Sequence, residues 1–159
     1  MREPAVVRPL EGPTEAEITQ LAAVFDKYRA HYGEVIRAGE SARWLEDNLG
    51  RGRLTAFTAE IDGELIGFAS TVDVPASLRL GHYWQIRDLF VVPSRRRLGV
   101  ARLLLDHVRS SATAASALRL AVQTEDDNSI ALQLYDERGF AKVEGYLGLT
   151  LPLGADEGS

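Results

Sequence analysis

Apolar residues in the first part of the chain recur mainly with a helical period. A short apolar run at residues 5–10 predicts a strand. Beyond it, apolar side chains return every three or four positions, which predicts a helix with an inner face made of Ile18, Leu21, Phe25 and Tyr28. Thr14 and Glu17 stand at the spacing of a capping box, so the helix is expected to begin there and to end at Gly33.

The rest of the chain alternates between helical and strand-like patterns. A second helix is predicted from Ser41 to Leu49, closed by Gly50. Two β-rich runs then flank Asp62 and Gly63, the dipeptide that suits a two-residue type I′ hairpin. The remaining pattern predicts a strand at 83–92, a helix at 100–115, a strand at 117–124, a helix at 128–139 and one or two closing strands at 140–151.

This order of elements predicts the fold class. Antiparallel strands at the front and a strand, helix, strand, helix, strand unit behind are typical of an α+β or mixed α/β sandwich. A length of 159 residues fits one domain, placed here at 1–153, and the residues 154–159 form a polar tail.

Composition excludes several kinds of protein. The chain has no cysteine, which rules out disulfides, thiolate zinc sites and a cysteine nucleophile, and its three histidines are too scattered to predict a metal site. No apolar run approaches the roughly 20 residues that span a bilayer, and the first ten residues lack a signal-peptide core, so we expect a cytoplasmic protein. The net charge of -5 argues against a nucleic-acid partner and favours a cationic small substrate.

The stretch from Leu89 to Val108 predicts an anion site. An apolar strand ends in a proline and three arginines, and Gly99 then precedes a helix. The first N–H groups of a helix have no partner within the helix and attract anions such as phosphate. Gly99 and the small Ala101 allow a close approach to the backbone. The pattern matches neither a dinucleotide-binding fingerprint nor a P-loop, so a different phosphate ligand is expected.

Asp88 is an unusual residue in an apolar strand. With regular alternation it shares a face with Trp84, Ile86, Phe90 and Val92, where a carboxylate must be paired or have a raised pKa. Such a carboxylate suits a general base, and a structural salt bridge is the alternative. A β-bulge in this strand would break the alternation.

Two segments together resemble the GNAT superfamily of N-acetyltransferases. The segment "VVPSRRRLGVARLLL" is similar to its pyrophosphate signature [QR]-x-x-G-x-[GA], with Arg96, Gly99 and Ala101 at the defined positions. The segment "NSIALQLYDERGF" resembles its N-x-x-A-x-x-L-Y-x-x-x-G-F pattern, which includes Asn128 and Tyr135. The likeness covers about residues 54–150 and looks most like a subgroup acting on small amines such as D-amino acids and polyamines.

The resemblance implies a fold, a donor and a set of residues. It implies a central twisted mixed sheet of about six to seven strands, antiparallel in its first part, with helices on both faces. It implies acetyl-CoA as the acyl donor, with no metal. The expected donor-binding residues are Leu89, Phe90, Val91, Arg96, Arg97, Leu98, Gly99, Val100, Ala101, Arg102, Asn128 and Tyr135. Arg97 and Leu98 depart from the commoner glycine and lysine, which makes the turn bulkier.

The implied reaction is direct attack of a neutral amine on the thioester. Tyr135 is expected to protonate the leaving thiolate, since the family places this hydroxyl against the CoA sulfur, although its place on an apolar helix stripe also suits a core residue. The amine proton goes to Asp88, to Glu125 or to a water. The acceptor is a small-molecule or peptide amine, bound by Tyr28, Tyr32 and Glu125.

Two other function classes remain open. A non-catalytic CoA-binding regulatory module would bind acetyl-CoA without turning over any amine. A polyanion-binding interaction domain using Arg95, Arg96 and Arg97 would bind in a salt-dependent way and ignore CoA. We expect neither a nucleic-acid nor a membrane partner, and we expect a homodimer.

Overall fold

The computed structural model describes residues 3–154, which contain five strands and four α-helices. In chain order these are β1 (Val6–Pro9), α1 (Glu15–His31), α2 (Glu40–Gly50), β2 (Thr55–Ile61), β3 (Glu64–Ala76), β4 (Gly81–Val91), α3 (Val100–Ala114), β5 (Leu120–Val122) and α4 (Ser129–Glu137). Two compact units are present, the first ending at Gln123 and the second beginning at Thr124. The predicted polar tail lies outside the described residues except for Gly154, and the single domain at 1–153 stays a prediction.

The five strands form one mixed sheet in the order β1-β2-β3-β4-β5, in which only the β4–β5 pair is parallel. Every residue of β3 from Ile66 to Thr71 is buried. Because successive side chains of a strand point to opposite faces, the sheet must be covered on both sides. Helix α1 covers the face of Phe68, whose ring lies 5.7 Å from Phe25, and α3 packs against β1 to β4. The predicted mixed α+β class with helices on both faces is confirmed.

Local sequence signals set several element ends as predicted. Thr14 and Glu17 form a complete capping box at the start of α1. Gly33 adopts a left-handed φ of 85° just beyond that helix. Asp62 and Gly63 have φ of 52° and 76°, the two positive values that a type I′ hairpin requires. Short-range chemistry therefore fixed these boundaries.

The prediction of closing strands at 140–151 is wrong, and so is the count of six to seven strands. No strand follows α4 anywhere up to residue 154, where the described chain ends. Leu147 and Leu149 alternate as in a strand, yet each is 90% exposed. Alternation shows which residues are able to face a core, whereas a strand also needs a partner for its N–H and C=O groups.

A β-bulge interrupts the pairing of β3 with β4. Ser70 pairs with Asp88, whereas Thr71 pairs with Ile86, so Arg87 is an extra residue with no partner in β3. Residues opposite each other share a face. Asp88 therefore lies on the face of Ser70, and Ile86 lies on the other.

The predicted apolar row around Asp88 is wrong for Trp84 and Ile86. Both lie on the opposite face from Asp88, where the Trp84 ring is 6.4 Å from that of Phe57. Phe90 remains on the Asp88 side, with its ring 6.5 Å from Phe68. The extra residue in β4 inverts the faces of everything before it.

His82, near the start of β4, ties three elements of the first unit together. Its Nδ1 lies 2.7 Å from Asp73 Oδ1 in β3, and its Nε2 lies 3.0 Å from the Ala115 carbonyl oxygen that follows α3. Only a protonated imidazole donates from both nitrogens. The hydrogen bond with Asp73 is the main cause that raises the pKa of His82 above its ordinary value.

The raised pKa of His82 predicts a pH-dependent stability. The protonated form is favoured by folding, so its contribution is complete below the ordinary pKa of about 6.5 and is lost as the pH rises through the folded-state pKa. The melting temperature of wild type should therefore exceed that of His82→Gln by more at about pH 6 than at about pH 8.5. Asp73→Asn should lose the same pH-dependent stabilisation. A difference that is constant with pH would contradict this role.

Candidate active site

The turn between β4 and α3 presents an open helix N-terminus. A short 3₁₀ turn spans Pro93–Arg95, and Gly99 then takes a left-handed φ of 75° as the N-cap of α3. Gly99 has no side chain with which to cap this helix, whose first backbone bond runs from Leu103 N to Gly99 O at 3.0 Å. A Cβ at Gly99 would meet no atom within 4 Å. The N–H groups of Leu98, Gly99, Val100 and Ala101 are thus able to bind an anion.

The arginines before this helix have different surroundings. Arg96 folds back, because its Nε donates to the Val91 carbonyl oxygen at 2.9 Å and its Cζ lies 5.5 Å from the Phe90 ring centroid. Arg95 pairs with Glu64 at 3.2 Å. Arg97 is exposed and has a left-handed φ of 65°, which is strained for a residue with a Cβ. Arg96 therefore fastens the turn to β4, and Arg97 faces solvent beside the anion site.

The last part of β4 has an open backbone on the side away from β3. β5 pairs β4 only from Trp84 to Ile86. Val92 N donates to Ile66 O at 2.8 Å, so by alternation Phe90 also bonds to β3, while Leu89 and Val91 direct their N–H and C=O groups to the other side. Arg96 takes the Val91 carbonyl. Within the first unit this leaves the Leu89 groups and the Val91 N–H open to a ligand.

Asp88 is held by two hydroxyl groups. Tyr28 Oη donates to Asp88 Oδ1 at 2.8 Å, and Ser70 Oγ donates to Asp88 Oδ2. The carboxylate is partly exposed rather than sealed in the core. A carboxylate has about four lone-pair positions, so further acceptor capacity remains for a proton or a water.

An open cleft of about 380 Å³ lies beside Asp88 in the first unit. Its apolar wall is formed by Phe25, Trp44, Leu54 and Val72. Its polar lining comes from Asn48, Arg53, Arg87 and Asp88. The cleft therefore combines charged groups of both signs with aromatic surface, as ligand sites commonly do.

Helices α1 and α2 supply one wall of the cleft and are fixed to each other by polar bonds. The buried Ser41 hydroxyl donates to Asp26 Oδ1 at 2.5 Å and accepts from Arg29 Nη1 at 3.2 Å. Trp44 then stacks on Phe25, with ring centroids 5.7 Å apart and planes at 11°. The exposed Tyr32 packs edge-on against Tyr28 at 5.2 Å.

The second unit holds the other predicted residues. Asn128 caps α4, since its Oδ1 accepts from Ala131 N at 3.2 Å. Its Nδ2 lies 3.5 Å from Glu125 Oε2, and Glu125 is on an exposed turn. Tyr135 is buried, and its ring lies 5.4 Å from that of Phe140. Asn128 is thus the N-cap of α4, a position at which asparagine is favoured.

Sequence reasoning missed the Ser70 contact with Asp88 and the cleft residues Trp44, Arg53 and Arg87. Ser70 and Arg87 depend on the register of β3 against β4, which no tight turn sets. Trp44 shows no deviation from an ordinary helix pattern.

No cluster of histidine and acidic side chains able to hold a metal ion occurs among residues 3–154. Within the same range no helix is long and apolar enough to cross a bilayer.

Known proteins are similar to this chain in sequence and in fold. The profile of the acetyltransferase (GNAT) family matches residues 21–140. YhfO, an uncharacterized N-acetyltransferase of Bacillus subtilis (strain 168), is 28% identical over 132 residues, covering 83% of this chain and 89% of YhfO. The crystal structure of a probable acetyltransferase has a TM-score of 0.85 and 31% identity, covering 97% of this chain and 100% of that one.

A predicted acetyltransferase from Clostridium acetobutylicum, solved with acetyl-CoA, shares the fold with a TM-score of 0.72 at 18% identity. The match covers 92% of this chain and 96% of that one. The family profile spans well over half of the 159 residues and includes both segments that carry the resemblance. The protein therefore belongs to the acetyltransferase (GNAT) family.

Proposed function

We propose that this acetyltransferase moves an acetyl group from acetyl-CoA to a primary amine by direct attack. The observation that carries the proposal is the uncapped N-terminus of α3, fastened by Arg96 to the open backbone of β4. One continuous stretch of chain thus offers an anion site and free peptide groups. Both are required to bind a long acyl donor that has phosphates at one end. Small-amine acceptors, the class predicted from the sequence, fit the cleft beside Asp88.

The donor fits the groups present. Acetyl-CoA supplies the activated acyl group. The N–H groups from Leu98 to Ala101 bind its pyrophosphate, and Arg97 adds positive charge at the same place. The open peptide groups of Leu89 and Val91 orient the pantetheine arm and polarise the thioester carbonyl, because donors fixed in advance stabilise a developing oxyanion.

Asp88 and Tyr135 handle the protons. Asp88 accepts the proton of the attacking amine, directly or through a water, while Tyr28 and Ser70 hold its carboxylate in place. Tyr135 donates a proton to the leaving thiolate, the role that the family resemblance gives it. Glu125 and a backbone-held water are the alternative bases.

Acetyl-CoA binding and amine turnover test the proposal separately. Saturating acetyl-CoA should raise the melting temperature, and CoA release should then depend on adding an amine from a panel of polyamines, amino acids and peptides. Absence of any thermal shift would contradict the donor site. A thermal shift with no turnover of any amine would instead support the non-catalytic module.

Tyr135→Phe should lower the turnover number by roughly 10²-fold, because the ring stays and only the proton donor is lost. The measurement is the steady-state rate of CoA release with saturating acetyl-CoA. The melting temperature serves as the control and should change little. An unchanged rate would show that the hydroxyl is structural or that water protonates the thiolate.

A further inference from the structure

The cleft beside Asp88 carries an excess of positive charge. Two guanidinium groups, of Arg53 and Arg87, and one carboxylate, of Asp88, line it. The chain as a whole has a net charge of -5, so this local balance is opposite to the average. Net charge favours a purely cationic acceptor, whereas the cleft lining favours an acceptor that also has an anionic group.

The bulge in β4 is what brings Arg87 and Asp88 to the same cleft. Consecutive residues of a regular strand point to opposite faces. Here Arg87 is the unpaired extra residue, and both side chains line one cavity. Bulges often re-aim a side chain next to an active site. The arginine is thereby set next to the carboxylate that handles the amine proton.

Arg87 has no partner among the residues that the structure describes. Its exposed guanidinium makes neither an ion pair nor a hydrogen bond with any of them. Arg53 is less available, since its Nη1 lies 3.6 Å from Asp47 Oδ2. A free guanidinium in a cleft is well suited to bind a carboxylate, which it contacts with two parallel hydrogen bonds.

We infer that the acceptor is an amino acid with an apolar or aromatic side chain, whose carboxylate binds Arg87. This rests on the proposed amine acetylation. The amino group then faces Asp88, one residue along the bulge, and Arg53 supports the carboxylate from the other wall. The side chain of the acceptor lies against Trp44, which stacks on Phe25 yet remains 48% exposed. A polyamine would meet two like charges in this cleft.

Paired ligands test the inference by binding alone. Racemic alanine, leucine, phenylalanine and tryptophan are each compared with the amine that decarboxylation would give, using calorimetry on the CoA-saturated protein. At least one amino acid should bind about 10- to 100-fold more tightly than its amine, the range that a charged hydrogen-bonded pair contributes. Arg87→Gln should remove that preference by weakening the amino acid and without weakening the amine, and Arg87→Lys should restore part of it.

Arg79→Gln is the matched control, since Arg79 is an exposed arginine on the turn before β4 and does not line the cleft. The preference of this variant for an amino acid over its amine should equal that of wild type. If no amino acid binds better than its amine, or if Arg87→Gln weakens both alike, the inference is overturned. Turnover separates the two proposals: if an amino acid binds through Arg87 and no amine of the panel is acetylated, the proposed function is contradicted and the carboxylate site stands. Acetylation without a carboxylate preference contradicts the inference only.

Discussion

Gly99→Asp is expected to abolish the stabilisation of the fold by acetyl-CoA. Gly99 is the left-handed N-cap of α3, and aspartate is one of the few residues that tolerate this conformation. Its carboxylate would occupy the N–H groups and repel the pyrophosphate. In wild type, ligand at about 100 times its dissociation constant adds about 2.7 kcal/mol. For a chain of this size that is a rise of roughly 5–10 °C, measurable by thermal unfolding.

Gly99→Asn provides the matched control for this experiment. Asparagine has the same shape and also tolerates a left-handed φ, but it carries no charge. It should keep part of the thermal shift that the aspartate variant loses. Without ligand, both variants should unfold at similar temperatures. If Gly99→Asp still responds fully to acetyl-CoA, the phosphates bind elsewhere.

Asp88→Asn is expected to lower turnover by roughly 10²- to 10⁴-fold while leaving the acetyl-CoA thermal shift intact. An amide keeps the shape but cannot accept the proton of the amine. The hydroxyls of Tyr28 and Ser70 are able to rotate and accept from the new NH₂ group, so the cost in stability should be only about 1 kcal/mol. The wild-type rate should rise with pH until amine and base are both deprotonated.

Ser70→Ala separates catalysis from structure at this site. It removes one hydrogen bond to Asp88 and leaves the carboxylate in place. The variant should show how much stability is lost with this hydrogen bond, without the large fall in turnover. Should Asp88→Asn instead lose stability and acetyl-CoA binding together, Asp88 is a structural residue, and the base is a water or Glu125.

The parts of the fold that follow from the sequence depend on neighbours along the chain. Three features involve only residues within a few positions of each other. They are the capping box of Thr14 and Glu17, the Asp62-Gly63 turn, and the left-handed Gly99 at the N-terminus of α3. Their conformations follow from local hydrogen bonding and allowed φ values. The predicted anion site is one of these local features, because it is formed by the N-terminus of a single helix.

The features that the sequence did not reveal depend on pairing between distant residues. Whether Asp88 faces Ser70 or Trp84 is decided by one extra residue in β4, and nothing in the local pattern marks Arg87 as that residue. The alternating leucines at 147–153 likewise meet the local requirement for a strand, but no strand forms there in the described chain. Period-two alternation leaves the register and the partner of a strand undetermined.

The bulge at Arg87 also makes the lining of the cleft depend on the number of residues in β4, in addition to the identity of their side chains. Deleting this one residue would place Ile86 directly before Asp88 with continuous pairing to β3, so the sheet would become more regular. The same deletion would remove the cleft guanidinium that has no partner within residues 3–154. A three-nucleotide deletion in the coding sequence would thus remove the inferred carboxylate site while making the sheet more regular.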